Sequence, residues 1–342
     1  MIKPDTLQTM PQRLTHTPSP GVLAPLGALA LLAAAPSAWA MSPSELFAKV
    51  GPSVWEVQAD QGQPGTGALG SAVEVGPRTL ITACHVVKSA TSVRVTRQQS
   101  KTSELVTAVT RDPDQKRDLC MLTVNEDLPA PPVQIAPMDT VKVGERVYAI
   151  GAPLGLEGSL TEGLVSALRP IAGEALPDIQ ISATTAPGSS GGGLFDDQGR
   201  LVGMTAAIAN KESEGLSFAY PAQWTIELPA RVAAERTLWR QTVARYGVKL
   251  GPNGDAAPSG YAEINDLAKV PAKNKPLVGV DDAYRQFLLL AKPRAFLLTS
   301  DNHWGTVSDP WSLESLMQDC AKRHVTCRFY AIDDAVVWQG EP

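Results

Sequence analysis

A chain of 342 residues, 44% of them apolar, is long enough for two compact domains with connecting segments and for a sizeable core. Its 30 basic and 35 acidic residues give a formal charge of -5 and are intermixed, with no basic block to track a phosphate backbone. That distribution argues against nucleic acid as a partner.

At the N-terminus Lys3, Arg13 and His16 precede an apolar run from Val22 to Ala35, and Pro36-Ser37-Ala38-Trp39-Ala40 follows with the small-x-small form of a leader-peptidase site. The run is shorter than the roughly 20 residues of a spanning helix. A secretory signal peptide over residues 1–40 is therefore expected, with a mature chain starting near Met41; a retained anchor is the alternative, and Met10 is a second candidate start. No later stretch is long enough to cross a bilayer, so the expectation is an exported chain, periplasmic or secreted, with no stable membrane span after cleavage. Export places the four cysteines in an oxidising compartment, which favours disulfides over metal or thiol chemistry.

Residues 42–50, with Ser44-x-x-Phe47 and apolar Leu46 and Val50, fit one or two capped helical turns. From there to about Tyr220 short β-type runs alternate with Gly and Pro: 53–58, 69–75, 79–82, 92–96, 119–124, 146–150, 179–182 and 200–206. The Pro-rich stretch 128–137 divides this region into similar halves, which fits two β-barrels, one over about 45–130 and one over 138–222. Residues 224–246 carry Ile226, Leu228, Val232, Leu238 and Val243 at helical spacing and predict a helix. Residues 248–276 are rich in Gly, Pro, Asn and Lys and are expected to be a linker. The remainder, 277–342, is expected to form a small α+β domain: helix 280–291, strands 295–299 and 305–307, helix 310–323, strands 326–331 and 335–338.

Hydrolysis of an amide by a hydroxyl nucleophile needs a base within hydrogen-bond reach, a carboxylate to orient it, and backbone donors aimed at the developing oxyanion. Leu80-Ile81-Thr82-Ala83-Cys84-His85 is an apolar strand ending in small residues and then an imidazole; a structural histidine has the same pattern. Asp118 heads the apolar strand Leu119-Cys120-Met121-Leu122-Thr123-Val124, where a carboxylate drawn toward the core needs a strong donor; a turn aspartate looks the same. The sharpest signal is Thr184-Thr185-Ala186-Pro187-Gly188-Ser189-Ser190-Gly191-Gly192-Gly193. Here a serine lies in a glycine bend tightly bracketed by strands, and the amides of Gly188 and Ser190 can face one point.

Thr82-Ala83-Cys84-His85-Val86-Val87, Asp118-Leu119-Cys120-Met121-Leu122, Ile150-Gly151-Ala152-Pro153-Leu154-Gly155, Gly163-Leu164-Val165-Ser166-Ala167 and Pro187-Gly188-Ser189-Ser190-Gly191-Gly192 resemble, in order, the corresponding blocks of HtrA/DegP-like trypsin-fold serine proteases. The likeness extends through Gly215-Leu216-Ser217-Phe218-Ala219-Tyr220-Pro221 and covers about 42–221. It implies a mostly β fold of two six-stranded antiparallel barrels. It further implies a serine-type endopeptidase with Ser190 as nucleophile, His85 as base and Asp118 as orienting carboxylate, oxyanion donors at Gly188 and Ser190, protein or peptide substrates, and no cofactor. The order His, Asp, Ser separates this fold from α/β-hydrolases and subtilisins. Gly193 stands where the family usually has Pro, Ser189 where it has Asn, and Ala186 where Asn is common, departures expected to loosen the loop. The uncharged Thr184, six residues before Ser190, with a wall at Ser217, Phe218 and Ala219, implies small or medium apolar side chains in the primary pocket rather than Lys or Arg. A homo-oligomer, a trimer by family analogy, is a further expectation.

If His85 and Asp118 touch, Cys84 and Cys120 lie on neighbouring strands and a Cys84–Cys120 disulfide fits; two free buried thiols are the alternative. Cys320 and Cys327 flank a short helix-to-strand loop that a disulfide would close. A zinc site from Cys320, His324, Cys327 and His303 is less compatible with export, so no metal is expected. The C-terminal segment lacks the Gly-Leu-Gly-type loop of a PDZ module, and Trp304, Trp311 and Trp338 are expected to pack. Two rival readings stand beside the protease: a binding or sensor protein on a quiescent protease scaffold, and hydrolysis of an ester or other acyl substrate.

Overall fold

The computed structural model describes residues 41–62, 66–88, 90–97, 101–156, 158–206, 216–271 and 279–339. The expected signal peptide over 1–40 lies outside these described residues. Helix α1 (Pro43–Val50) begins two residues earlier than the Ser44 cap anticipated. Ser42 is the N-cap because Glu45, three residues on, completes a capping box with it, and Pro43 suits the first helical position.

Six antiparallel strands then close a barrel: β1 (Val54–Asp60), β2 (Gly67–Gly76), β3 (Thr79–Ala83), β4 (Ser92–Arg97), β5 (Thr102–Arg111) and β6 (Leu119–Val124), in spatial order β1-β2-β3-β6-β5-β4. The short helix α2 (Cys84–Val87) follows β3 directly. A second closed barrel comprises β7 (Arg146–Gly151), β8 (Ser159–Arg169), β9 (Asp178–Ile181), β10 (Gly193–Asp196), β11 (Leu201–Ala206) and β12 (Ser217–Pro221), ordered β10-β11-β12-β9-β8-β7. The fold is thus mostly β, with two six-stranded antiparallel barrels and a small C-terminal domain.

The alternation of side chains along a strand explains how the barrels join. On β7, Val147 and Ala149 point into the core of barrel two, while Tyr148 and Ile150 belong to the cluster that holds Trp55, Val57, Leu80 and Ile81 of barrel one. Both faces of β7 are therefore buried. The Pro-rich connection runs between the barrels as expected, fixed by Leu128 N–H to Pro77 O (2.7 Å), Val133 N–H to Glu74 O (3.0 Å) and a bridge from Ile135 to Leu201.

Helix α3 (Trp224–Arg245) leaves barrel two and serves two cores. Its first half gives Trp224 and Leu228 to the barrel cluster; its second half gives Trp239 and Val243 to a cluster with Ala295, Leu297, Val307, Leu313 and Phe329 of the C-terminal domain. That domain is an antiparallel sheet in the order β14-β13-β15-β16, made of β13 (Ala295–Thr299), β14 (Trp304–Val307), β15 (Cys327–Ile332) and β16 (Ala335–Val336). Helix α4 (Val280–Leu289) covers one face through Tyr284 and Phe287 against Phe296 and Tyr330, and α5 (Pro310–Lys322) joins α3 on the other. Because both faces are covered, β13 reads as an unbroken apolar run.

Two sequence expectations change here. Residues 248–270 are not a free tether: Leu250 bridges Ala256, Ser259 N–H bonds to Val336 O (2.9 Å), and Ala262, Ile264 and Leu267 pack against the α4 face of the sheet. Their apolar residues are too sparse for a helical or strand period, yet each finds a place on an existing surface. Trp338 is buried and Trp304 stacks on Phe296 with ring centroids 6.2 Å apart, but Trp311 is 59% exposed and does not pack. Cys320 and Cys327 are joined as a disulfide, Cα atoms 6.1 Å apart, so these thiols are not available to zinc.

Barrel one contains a carboxylate that the apolar pattern around it does not announce. Glu74 on β2 is fully buried and neither carboxylate oxygen has a hydrogen-bond partner at normal distance. Burial pushes it up to about 7, with the Trp55 indole and the Arg97 charge acting against that rise. A carboxyl whose folded-state pKa lies above its unfolded value holds its proton more tightly when folded, so stability falls as pH rises from the unfolded pKa through about 7 and is level above it. Glu74→Gln is expected to remove this fall: urea melts should match wild type near about pH 4 and show a more stable variant at about pH 8. Parallel stability–pH curves for the two proteins would contradict the assignment.

Candidate active site

The residues expected to form a base and its carboxylate are brought together by the pairing of β3 with β6, which sets Thr82 opposite Cys120 and Ala83 opposite Leu119. The ladder continues past the strand end as Cys84 N–H donates to Asp118 O (2.8 Å), and the Cys84–Cys120 disulfide, Cα atoms 4.8 Å apart, ties the two segments covalently. Asp118 caps the single 3₁₀ turn at 115–117 in the left-handed region (φ 47°), a conformation that aspartate tolerates better than most residues. Both of its oxygens then turn to His85: Oδ1 accepts from the His85 backbone amide (2.8 Å) and Oδ2 contacts Nδ1 (2.5 Å). A carboxylate held at two points fixes ring orientation as well as distance. The Asp118 hydrogen bond raises the His85 pKa above its ordinary value, the Asp118 charge adds to the effect, and burial opposes it.

Ser190 belongs to the tight bend between β9 and β10, and the bend is pressed onto barrel one. Ser71 N–H on β2 donates to Ser190 O (2.8 Å), and a Cβ on Gly191 would lie 2.1 Å from Ser71 O, 2.4 Å from Thr82 Oγ1 and 2.9 Å from Ala83 N. Only glycine, here at φ 88°, permits that approach. The contact places the Ser190 bend against the strand that ends two residues before His85.

The bend is braced from several directions despite its departures from the expected residues. Thr205 on β11 donates its hydroxyl to Ser189 O (2.6 Å) and accepts Gly191 N–H at its carbonyl (2.8 Å), while Ser189 N–H bonds to Ala186 O (2.8 Å) and Gly192 N–H to Ser189 O (2.9 Å). Gly193 opens β10, paired with Ile150 and Met204. Leu154 N–H holds Pro187 O (2.8 Å), so in a trans peptide the Gly188 amide points away from Leu154.

Ser71 is the residue that the sequence reading missed. Fully buried, its hydroxyl accepts from Ala152 N–H (2.9 Å) and donates to Gly188 O (2.7 Å), linking barrel one to both loops of barrel two. The available signal was the small-residue run Gly70-Ser71-Ala72 inside a strand, a mark of close backbone approach.

The expected substrate-binding residues separate. Thr184 is exposed and its carbonyl accepts from Thr161 Oγ1 (2.9 Å); Ser217 Oγ lies by Thr185, 3.3 Å from its amide and 3.2 Å from its hydroxyl. Phe218 is half-buried. The side chain of Ala219 faces the core of barrel two, because strand alternation sends it inward with Ser217, so Ala219 offers a ligand only its backbone. Residues 207–215, which lead into this strand, lie outside the described residues.

Residues 65–204 match the trypsin-like peptidase domain family. The chain is 36% identical over 151 residues to the putative serine protease HhoB of Synechocystis sp., which spans 42% of this chain and 35% of that protein. It is 34% identical over 167 residues to a probable periplasmic serine endoprotease DegP-like of Ectopseudomonas mendocina (47% and 34%), and 31% identical over 254 residues to the serine protease PepD of Mycobacterium tuberculosis (65% and 52%). The chain thus spans about a third to a half of the length of these curated relatives. A solved HtrA-type protease, AlgW with tripeptide, aligns with a TM-score of 0.49 at 28% identity, over 56% of this chain and 64% of that one. Residues 65–204 thus match a trypsin-like peptidase domain, and the chain is similar in sequence to serine proteases such as HhoB, PepD and the DegP-like endoproteases.

Proposed function

We propose that this chain is an exported serine endopeptidase that cleaves unfolded or misfolded proteins through an acyl-enzyme intermediate. The observation that carries the reading is the two-point grip of Asp118 on His85, beside a glycine bend that presents Ser190. Export is supported by the leader-like N-terminus, by two disulfides, and by similarity to proteases named as periplasmic.

In this mechanism Ser190 Oγ attacks the scissile carbonyl carbon while His85 takes the hydroxyl proton. Asp118 remains ionised and stabilises the imidazolium that forms. The carbonyl oxygen, now an oxyanion, is met by the amides of Gly188 and Ser190. Collapse of the tetrahedral intermediate breaks the C–N bond, with His85 returning the proton to the leaving amine. Water then attacks the ester by the same steps and releases the acid and Ser190.

A fluorophosphonate is expected to label the mature protein and not Ser190→Ala, and a denatured protein substrate to be cleaved only by the wild type. Because His85 must be neutral to accept a proton, activity should fall on acidification with a midpoint above the ordinary histidine value. Asp118→Asn should lower kcat by about 10⁴-fold. Labelling that survives Ser190→Ala would overturn the assignment; labelling without cleavage of any peptide or protein would favour an esterase or a quiescent scaffold.

The uncharged Thr184 supports a primary pocket for small or medium apolar side chains. A cleavage profile over a peptide library should be led by residues such as Ala and Val, and a profile dominated by Arg or Lys would refute it.

A further inference from the structure

The loop that presents Asp118 is held by buried charges that come from outside barrel one. Residues 111–118 connect β5 to β6, closed at the base by Asp112 N–H to Leu119 O (2.8 Å). Asp112 is 2% exposed, and its carboxylate accepts from Arg231 of α3 through Nε (3.1 and 3.3 Å) and Nη2, with Arg117 Nη1 at 3.9 Å. Arg231 is itself fixed by Trp224 O (2.9 Å) and Glu227 (2.9 Å). At the same end of the loop the neighbouring Arg111 pairs with the buried Glu235 of α3 (3.4 Å) and donates to the carbonyl of Ser308, which belongs to the C-terminal domain. Arg117, next to Asp118, pairs with Glu174 of barrel two (2.7 Å) and lies over the Trp224 ring.

Charges this deeply buried hold only while paired, and losing one partner leaves the other uncompensated. Removing Arg231 would therefore do more than delete a contact, because the carboxylate of Asp112 would be driven toward water and the loop with it. Asp118 grips His85 at two points, and an error of about 1 Å in such a contact lowers rates by about 10²-fold. A surface ion pair between the same helix and the same domain, Arg245 with Glu314, touches no part of the loop and makes a matched control.

We propose that Arg231 and Arg111 are positioning residues for Asp118, and that through them α3 and the C-terminal domain set the competence of the His85–Asp118 pair. The accessory domain then acts on the reaction through the loop that holds Asp118. This rests on the serine-peptidase reading above.

The test uses the full mature chain with Arg231→Met, Arg231→Lys, Arg111→Met and Arg245→Met. For folded protein, Arg231→Met and Arg111→Met should lower kcat for an activated peptide substrate by about 10- to 100-fold, with KM within about twofold. Their activity midpoints should move to lower pH, since a loosened Asp118 no longer raises the His85 pKa. Arg231→Lys should recover part of kcat, and Arg245→Met should match wild type. A second readout does not depend on turnover: in the Ser190→Ala chain the proton of His85 Nδ1 should give a low-field NMR resonance that is lost or shifted upfield by Arg231→Met. If wild type is neither labelled nor active, the peptidase reading fails while the NMR arm still decides the positioning role. Folded variants that keep wild-type kcat, pH midpoint and low-field proton would overturn the proposal, as would losses that only follow the folded fraction. Should Arg231→Met not fold, Arg111→Met and Arg231→Lys decide by the same measures.

Discussion

The arrangement depends on one close contact, the seating of Gly191 and Ser190 against β2 and β3 of the other barrel. Two closed barrels share no strand, so their relative position is set by side chains at the interface and by the few backbone groups that meet there. Tyr148, Ile150 and Phe195 join the apolar cluster of barrel one, but the hydrophobic effect is non-directional and does not by itself fix a register. The direct hydrogen bonds do. Ser71 joins Ser190 O, Gly188 O and Ala152 N, and Thr82 Oγ1 holds Ser71 O at 2.7 Å, so a shift between barrels strands several buried polar groups at once. Burial of unsatisfied groups, more than attraction between satisfied ones, makes the register of the two halves unique.

The same logic governs the Asp118 loop, with charges in place of neutral groups. Asp112, Glu174 and Glu235 are each nearly inaccessible, and each meets an arginine that retains some exposure. Arginine suits this geometry because its planar fork forms several bonds at once and its charge is weakly hydrated. Such clusters add little net stability compared with apolar packing of equal volume. Their effect is on specificity of position, and here the position specified is that of the carboxylate facing His85. Tyr220 feels the charges of Asp118 and Asp178; burial first, then those two carboxylates, push its phenol up to about 12, so it stays neutral.

Much of this was legible in the sequence where a local pattern carried the information. Ser190 stood out because successive glycines mark a bend whose backbone must approach something closely, and Gly191 meets Ser71 and Thr82 in that way. His85 and Asp118 were weak individually and became readable through order and resemblance. Strands β3, β6 and β7 were found within a residue of their bounds, since both faces are buried and the apolar runs are continuous. Strand β5 was passed over because most of its side chains are partly or fully exposed, leaving Thr, Glu and Ser interspersed with valine. Arg231 was not legible at all, and Ser71 left only the small residues around it as a mark. Each acts through partners more than 80 residues away, and no spacing within one element encodes such a contact.

Helix α3 shows why the C-terminal segment cannot be treated as an appendage. A tethered domain would keep its core to itself and meet the barrels through a polar, hydrated surface. Here Trp224 and Leu228 close the barrel cluster while Trp239 and Val243, four turns further on, close the cluster under β13. Between them lie Arg231 and Glu235, on the face turned to the Asp118 loop. The helix runs from one anchor to the other, with Pro229, which lacks the N–H for a backbone hydrogen bond, between Leu228 and the charged pair. The order of the sequence thus becomes mechanical: one end of α3 is anchored beneath the C-terminal sheet, the other beside the Asp118 loop, and the charges that fix that loop sit midway.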